Sequence, residues 1–310
     1  MEAILAIDGG ASRTRCVAVN RAGRILGEAE SGPSNHLQQS DESIEQRLAE
    51  VTERTLQAAN LSKSDIACLS AGLAGVDYDG YGAEPMNKLF HRLGFTHCLV
   101  HGDMVIAHAA ALGMQPGIVV IAGTGSVILG IDDAGCRVRV GGWGPLYGDE
   151  GSAQHIAAAA LRIAARAHDG RGPSTALLEA LTQTLGLPDF RSTISILYGP
   201  NAKNIAFLCQ IVHQVAVAGD RVAQSLFDAA GDELAAGVVT AARRLRLESS
   251  PLLISYQGGV AEHCPLLIER MRERLGERLP HAQLVPPRWR PVIGAYLLGC
   301  RSHGWEGKVE

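Results

Sequence analysis

Aromatic residues are scarce in this chain, at 5% of the total, and none of its cysteines forms a C-x-x-C pair. The seven cysteines (Cys16, Cys68, Cys98, Cys136, Cys209, Cys264 and Cys300) are dispersed and odd in number. That pattern excludes a disulfide framework closed within one chain and offers no zinc or iron–sulfur spacing, so a reducing compartment is expected. Positive charge is also missing as a block: 28 Lys and Arg stand against 32 Asp and Glu, for a formal net charge of −4. Nucleic acid is therefore not an expected partner. No run approaches the ~18 apolar residues of a membrane span, so no membrane partner is expected either. Met1–Asp8 enters an apolar strand without the basic and long apolar regions of a signal peptide, and the expected location is cytoplasmic.

What the chain has is glycine, 36 residues in 310, within a composition that is 46% hydrophobic. This length exceeds one ordinary core and suits two domains of roughly 100–150 residues. The composition fits tightly turned α/β structure.

An internal duplication organises the sequence. Ala3–Asp8 reads as a buried strand, Gly9-Gly10-Ala11-Ser12 as a turn, Arg15–Asn20 as a strand and Arg24–Glu28 as a third. The plan recurs with Gly117–Ala122, the turn Gly123-Thr124-Gly125, Ser126–Ile131, the turn Asp132–Gly135 and Cys136–Gly141. Each meander leads into a helix, over Asp41–Ala59 and Gly151–Ala167. The first half continues as strand Ile66–Ala71, helix Ala83–Leu93, strand His97–His101 and helix Met104–Leu112, a βαβα order that requires parallel pairing. The second half is expected to be helical over Ser174–Leu185, Asn204–Ala218 and Arg221–Leu245. Strand Leu252–Tyr256 and helices Cys264–Leu275 and Val292–Cys300 follow. The hinge is placed near Ala111–Gly117.

Several polar residues stand where a cleft ligand would need them. Asp8, Gly9, Gly10, Ser12 and Thr14 combine a carboxylate at a strand end with flexible positions and hydroxyls, a turn able to face an anion. The same letters also make an ordinary hairpin turn. Gly123, Thr124 and Gly125 repeat the arrangement, so two hydroxyl-bearing turns can converge on one polyphosphate. Asp103 follows the strand ending at His101 and opens a helix, which suits a carboxylate projecting into a cleft and equally suits a helix N-cap. His36, His101 and His108 show no metal-ligand spacing and read as surface or packing residues.

The paired turns resemble the superfamily of actin, sugar kinases and heat-shock chaperones. Ile7–Thr14 is similar to its first phosphate motif, Ile121–Gly130 to the second, Leu252–Pro265 with Gln257-Gly258-Gly259-Val260 to the adenosine motif, and Pro291–Gly299 to the second connecting helix. Within it, Gly141-Gly142-Trp143-Gly144-Pro145-Leu146-Tyr147-Gly148-Asp149-Glu150-Gly151-Ser152 resembles the GGWG…GDEGS signature of the N-acetylglucosamine kinase and BadF/BadG-type ATPase family. The likeness runs from the first strand to Gly299 and weakens between Ala167 and Lys203.

The resemblance implies an α/β protein of two actin-like, ribonuclease H-like domains, each a mixed five-stranded sheet with flanking helices and a ligand cleft between them. Residues 1–114, joined by the helix over 292–310, would form one and residues 115–291 the other. It implies ATP-dependent phosphorylation of an amino sugar, N-acetylglucosamine or glucosamine at the 6-hydroxyl, by a homodimeric kinase. Asp103 would be the general base. Asp8 would hold Mg²⁺, or fix its own turn, or do both. Gly9, Gly10, Ser12, Thr14, Gly123, Thr124 and Gly125 would contact the ATP phosphates, and Ala216, Gly258 and Gly259 the adenosine side. Asn35, Asp103, Ser126, Gly142, Trp143, Gly144 and Asp149 would face the sugar, Trp143 either stacking on it or packing between domains.

Four positions depart from the family pattern. Ala11-Ser12 replaces a Gly-Thr, Val127 stands where animal N-acetylglucosamine kinases carry asparagine, and Ala74 where they carry serine. N-acetylmuramic acid therefore stays open as an acceptor beside the other two sugars. A second function in the same family is an ATPase activating 2-hydroxyacyl-CoA dehydratase or benzoyl-CoA reductase systems. Those activators hold an iron–sulfur cluster on closely placed cysteines, and no Cys here lies by either phosphate turn.

Overall fold

The structure is a computed structural model describing residues 2–35, 40–198 and 204–309. His36 lies outside the described residues. Strands β1 (Ala3–Gly9), β2 (Thr14–Asn20) and β3 (Ile25–Ser31) form the first meander. Helix α1 (Asp41–Ala59), β4 (Ile66–Leu73), α2 (Ala83–Arg92), β5 (Cys98–Gly102) and α3 (Asp103–Leu112) complete the first half. The second meander is β6 (Gly117–Ala122), β7 (Ser126–Ile131) and β8 (Arg137–Gly141). Helices α4 (Ala153–His168), α5 (Leu177–Thr184), α6 (Thr193–Tyr198), α7 (Leu208–Val217) and α8 (Arg221–Arg244) follow. The chain ends with β9 (Leu252–Gln257), α9 (Gly259–His263), α10 (Pro265–Arg278), β10 (Ala282–Leu284) and α11 (Pro291–Ser302).

The strand orders are β3-β2-β1-β4-β5 and β10-β9-β6-β7-β8. Read from the meander edge, both sheets have one plan, with two antiparallel pairs followed by two parallel ones. The duplication is therefore structural as well as textual, and the mixed sheets agree with the expected fold class.

Burial follows the two-residue period of a strand covered on both faces. In β1, Ala3, Leu5 and Ile7 join a core with α1 and α2, while Ile4 and Ala6 face a second core containing α11 residues. In β6, Ile118 and Val120 meet α4, α8 and α10, and Val119 packs with Ala111 and Leu112 of α3. Helix α3 is buried on all sides from Met104 onward, as a helix apolar all round must be. It packs between the two sheets and against α11, so Asp103 stands at the mouth of the most enclosed helix.

The docking of α11 was not legible in the sequence and follows from one glycine. A Cβ on Gly294 would stand 2.8 Å from the Ala110 nitrogen and closer still to the Ile106 carbonyl oxygen, so only hydrogen there lets the helices touch. Helix α10 begins at Pro265 with its own short predecessor α9, where a single helix from Cys264 was expected. Pro265 lacks the N–H to continue α9 and suits a helix start.

Candidate functional site

Strand register places the first cluster. Asp8 pairs with Gly72 across β1–β4, and Gly72 with His101 across β4–β5. With strands roughly 4.8 Å apart, Asp8 and the β5–α3 junction lie about 10 Å apart at one end of the sheet. Burial pushes the Asp103 carboxyl up to about 6, opposed by the Met104 N–H that donates to its Oδ1 at 2.8 Å. Burial, and then the charge of Asp103 itself, pushes Asp8 up to about 7, with Arg13 and Arg15 pulling the other way. Two carboxylates so placed share a desolvated corner, the environment that tunes an acid toward neutral pH.

The first turn is held by close approach. A Cβ on Gly9 would lie 2.5 Å from Ser34 Oγ and 2.6 Å from Leu73 Cδ2. Gly10 O accepts from the Ser34 amide at 3.2 Å, which seats the loop carrying the half-buried Asn35 against the turn. Thr14 is engaged within the protein. It is fully buried, with its hydroxyl 2.8 Å from both Gly32 O and Ser34 Oγ, so it braces that loop and has no face toward a phosphate.

In the second half, Gly258 has φ +99°, and a Cβ there would stand 2.6 Å from Ala122 O. The Gly258-Gly259 turn therefore sits against Gly123 at the end of the second sheet. The carbonyls of Gly123 and Thr124 accept from the Ala153 and Gln154 amides at 2.9 and 3.4 Å, fixing the turn on the start of α4. The two turns then meet: Ser12 Oγ and Thr124 Oγ1 are 3.3 Å apart, across 112 residues of sequence.

Beside the second turn, Asp149 is only 8% exposed and adopts φ +57°, unusual for a residue with a Cβ. Its Oδ1 accepts from the Gly144 amide at 3.1 Å, and its Oδ2 takes the space a Cβ on Gly125 would need. Burial raises its pKa, against the amides of Gly144 and Ser126. Ser126 is engaged too, its hydroxyl donating to Glu150 O at 2.7 Å. Gly142 packs on Val127. Trp143 is 62% exposed, so it does not pack between the halves.

Ala216 is likewise enclosed. It is fully buried in α7 within the second-half core, and its carbonyl accepts from Gln224 Nε2 at 3.0 Å. Its side chain has no surface to offer a nucleotide. The sequence reading also passed over Arg139, which bonds the carbonyls of Gly141 and Gly142 and the Asp77 carboxylate. An arginine two residues before Gly-Gly at a strand end was the available signal.

Among the described residues, no group of three or more His, Cys, Asp or Glu could hold a metal ion, and no helix is long and apolar enough to cross a membrane. Cys136 is exposed, Cys98 half-buried, and the other five cysteines are buried.

Several known proteins resemble this chain over nearly its whole length. An N-acetylmuramic acid/N-acetylglucosamine kinase of Clostridium acetobutylicum is 28% identical over 301 residues, covering 96% of this chain and 98% of its own. An N-acetyl-D-glucosamine kinase of Dictyostelium discoideum is 28% identical over 322 residues, covering 97% and 98%. A Chromobacterium violaceum structure, provisionally named an N-acetylglucosamine kinase, superposes with a TM-score of 0.79 at 26% identity, over 96% of this chain and 98% of that one. A glucokinase of the ROK family from Streptomyces griseus shares the fold with a TM-score of 0.60 at 17% identity, over 96% and 98%. The BadF/BadG/BcrA/BcrD ATPase family profile matches residues 5–299, from the first strand to the last helix, and the chain belongs to that family.

Proposed function

We propose that this chain is an ATP-dependent kinase of an amino sugar, acting on N-acetylglucosamine or glucosamine at the 6-hydroxyl with Asp103 as general base. The observation that carries the reading is the 3.3 Å approach of Ser12 and Thr124, which sets two hydroxyl-bearing turns beside the Asp8–Asp103 corner. Phosphoryl transfer asks mainly for alignment and charge neutralisation, which such a corner supplies. The kinase activities for which the relatives are named support the same reading.

In this reading Ser12, Gly9, Gly10, Gly123, Thr124 and Gly125 cradle the phosphates, and Gly258 and Gly259 approach the adenosine. Asn35, Ser126, Gly142, Trp143, Gly144 and Asp149 form the sugar wall. Asp103, held near 6 by burial, accepts the proton of the attacking hydroxyl close to neutral pH. Asp8 fits a hard cation, because an ion there would relieve the desolvation and the Asp103 repulsion that raise its pKa. Mg²⁺, when bound, would neutralise phosphate charge. Residues 1–114 with 292–310 would close as one domain against residues 115–291, and the enzyme would be a cytoplasmic homodimer.

The test is ADP release with a panel of N-acetylglucosamine, glucosamine and N-acetylmuramic acid, comparing wild type with Asp103→Asn. Turnover is expected to fall by about 10²-fold or more, the scale of a lost general base, while calorimetric sugar binding persists. Undiminished turnover in the variant would remove Asp103 from its role.

A further inference from the structure

Arg139 stands in β8, two residues before the Gly141-Gly142 turn, with its side chain 19% exposed. Its guanidinium fork is fully committed. Nε donates to Gly141 O at 3.1 Å, one terminal nitrogen to Gly142 O at 2.6 Å and the other to the Asp77 carboxylate at 2.7 Å. Its Cζ lies 5.1 Å from the centre of the Trp143 ring. Gly141 and Gly142 have φ of +72° and +74°, so the backbone folds around the cation in a shape that suits glycine.

Asp77 belongs to the other half of the molecule. Its loop follows β4 and packs on Gly102, where a Cβ would stand 2.5 Å from Val76 O and 3.2 Å from Asp77 O. Gly102 immediately precedes Asp103. One side chain thus connects the loop beside the proposed base with the loop proposed to face the sugar. Arg137 supports the same junction, donating to Tyr78 O at 2.6 Å.

Resting on the sugar-kinase reading, we propose that Arg139 is a positioning residue for phosphoryl transfer: through Asp77 it registers the Gly142–Gly144 loop against Asp103, so that the acceptor hydroxyl meets its base only when this link is closed. The pair is half-buried, so its worth to stability is modest and its orienting effect larger. Here the fork geometry matters more than the charge, because lysine offers a compact ammonium that cannot serve two carbonyls, a carboxylate and a ring face together.

The experiment compares Asp77→Asn, Arg139→Gln, Arg139→Lys and the double variant Asp77→Asn/Arg139→Gln with wild type. Steady-state constants for N-acetylglucosamine and for ATP are combined with hydrogen exchange of the segments 74–82 and 141–148. Each single variant is expected to lose about 10- to 100-fold in kcat/KM for the sugar, the scale of a small misplacement of reacting groups. KM for ATP should stay within about 2- to 3-fold, and the double variant should lose no more than the worse single, because both changes break one link. Arg139→Lys should restore little. Asp77→Asn leaves the bonds from Arg139 to the glycine carbonyls in place, yet should speed exchange in both segments. Sugar kcat/KM within about 2-fold of wild type, additive losses, or recovery in Arg139→Lys would each overturn the proposal. Unchanged exchange in Asp77→Asn would remove the link while leaving the kinase reading intact. A wild type that phosphorylates none of the amino sugars would instead remove the kinase reading and the positioning role with it.

Discussion

The raised pKa of Asp8 states a stability cost at one residue. An acid whose folded pKa exceeds its unfolded value binds more protons when folded, so stability falls as pH rises through that interval. For Asp8 the interval runs from 3.8 to about 7, the causes being burial first and then Asp103. Above pH 7 the nucleotide-free protein carries the full penalty. Asp8→Asn removes the charge and is expected to raise Tm at pH 8 in the absence of Mg²⁺, with the gain fading toward pH 4. Calorimetric melts across that range check it, and a variant less stable than wild type at pH 8 would show that the turn depends on the carboxylate. If the gain appears with loss of activity, the corner is an instance of stability yielded to function.

At the scale of elements, the α11–α3 contact makes the sharpest prediction. Gly294→Ala puts a methyl against the Ile106 and Ala110 backbone, which cannot swing aside as a side chain would. A loss of about 3 kcal/mol, the upper end of ordinary overpacking, is expected from denaturant unfolding. The same contact shows where sequence reading stops. Local periods gave α1, β6 and β7 their observed bounds, because apolar spacing is set by the element itself. The partner of α11 is set by a distant backbone, and a Gly in an apolar helix does not say what approaches it. β10, three residues long, carries too little pattern to read. At the site, turns announce themselves through Gly, Ser and Thr, and so Ser12 and Thr124 stand out as candidates in the sequence. The full burial of the Thr14 and Ala216 side chains was not legible, because no residue name reveals burial. Arg139 was missed because its partner Asp77 lies 62 residues away.

For the whole molecule, the meeting of the two turns implies motion. Ser12 and Thr124 are in hydrogen-bond contact at 3.3 Å, and a phosphate oxygen bonding both hydroxyls needs about 2.7–3 Å to each with its own phosphorus behind it. A phosphate group entering directly between them would need more room than this contact leaves. We therefore expect the halves to part at the turns when a nucleotide enters, with the Arg139–Asp77 ion pair opposing separation. Such a hinge is a known route by which kinases admit ligands and exclude water. Binding of a non-hydrolysable ATP analogue is accordingly expected to increase the radius of gyration in solution scattering. Later addition of N-acetylglucosamine should draw the sugar-side loops together and reverse part of the change. Ser12→Ala and Thr124→Ala remove the hydroxyl contact and should raise KM for ATP several-fold, with sugar KM little altered. Superimposable profiles with and without the analogue, at concentrations where calorimetry shows binding, would mean that the triphosphate lies outside the gap between the turns, and the placement of the nucleotide would have to move with it.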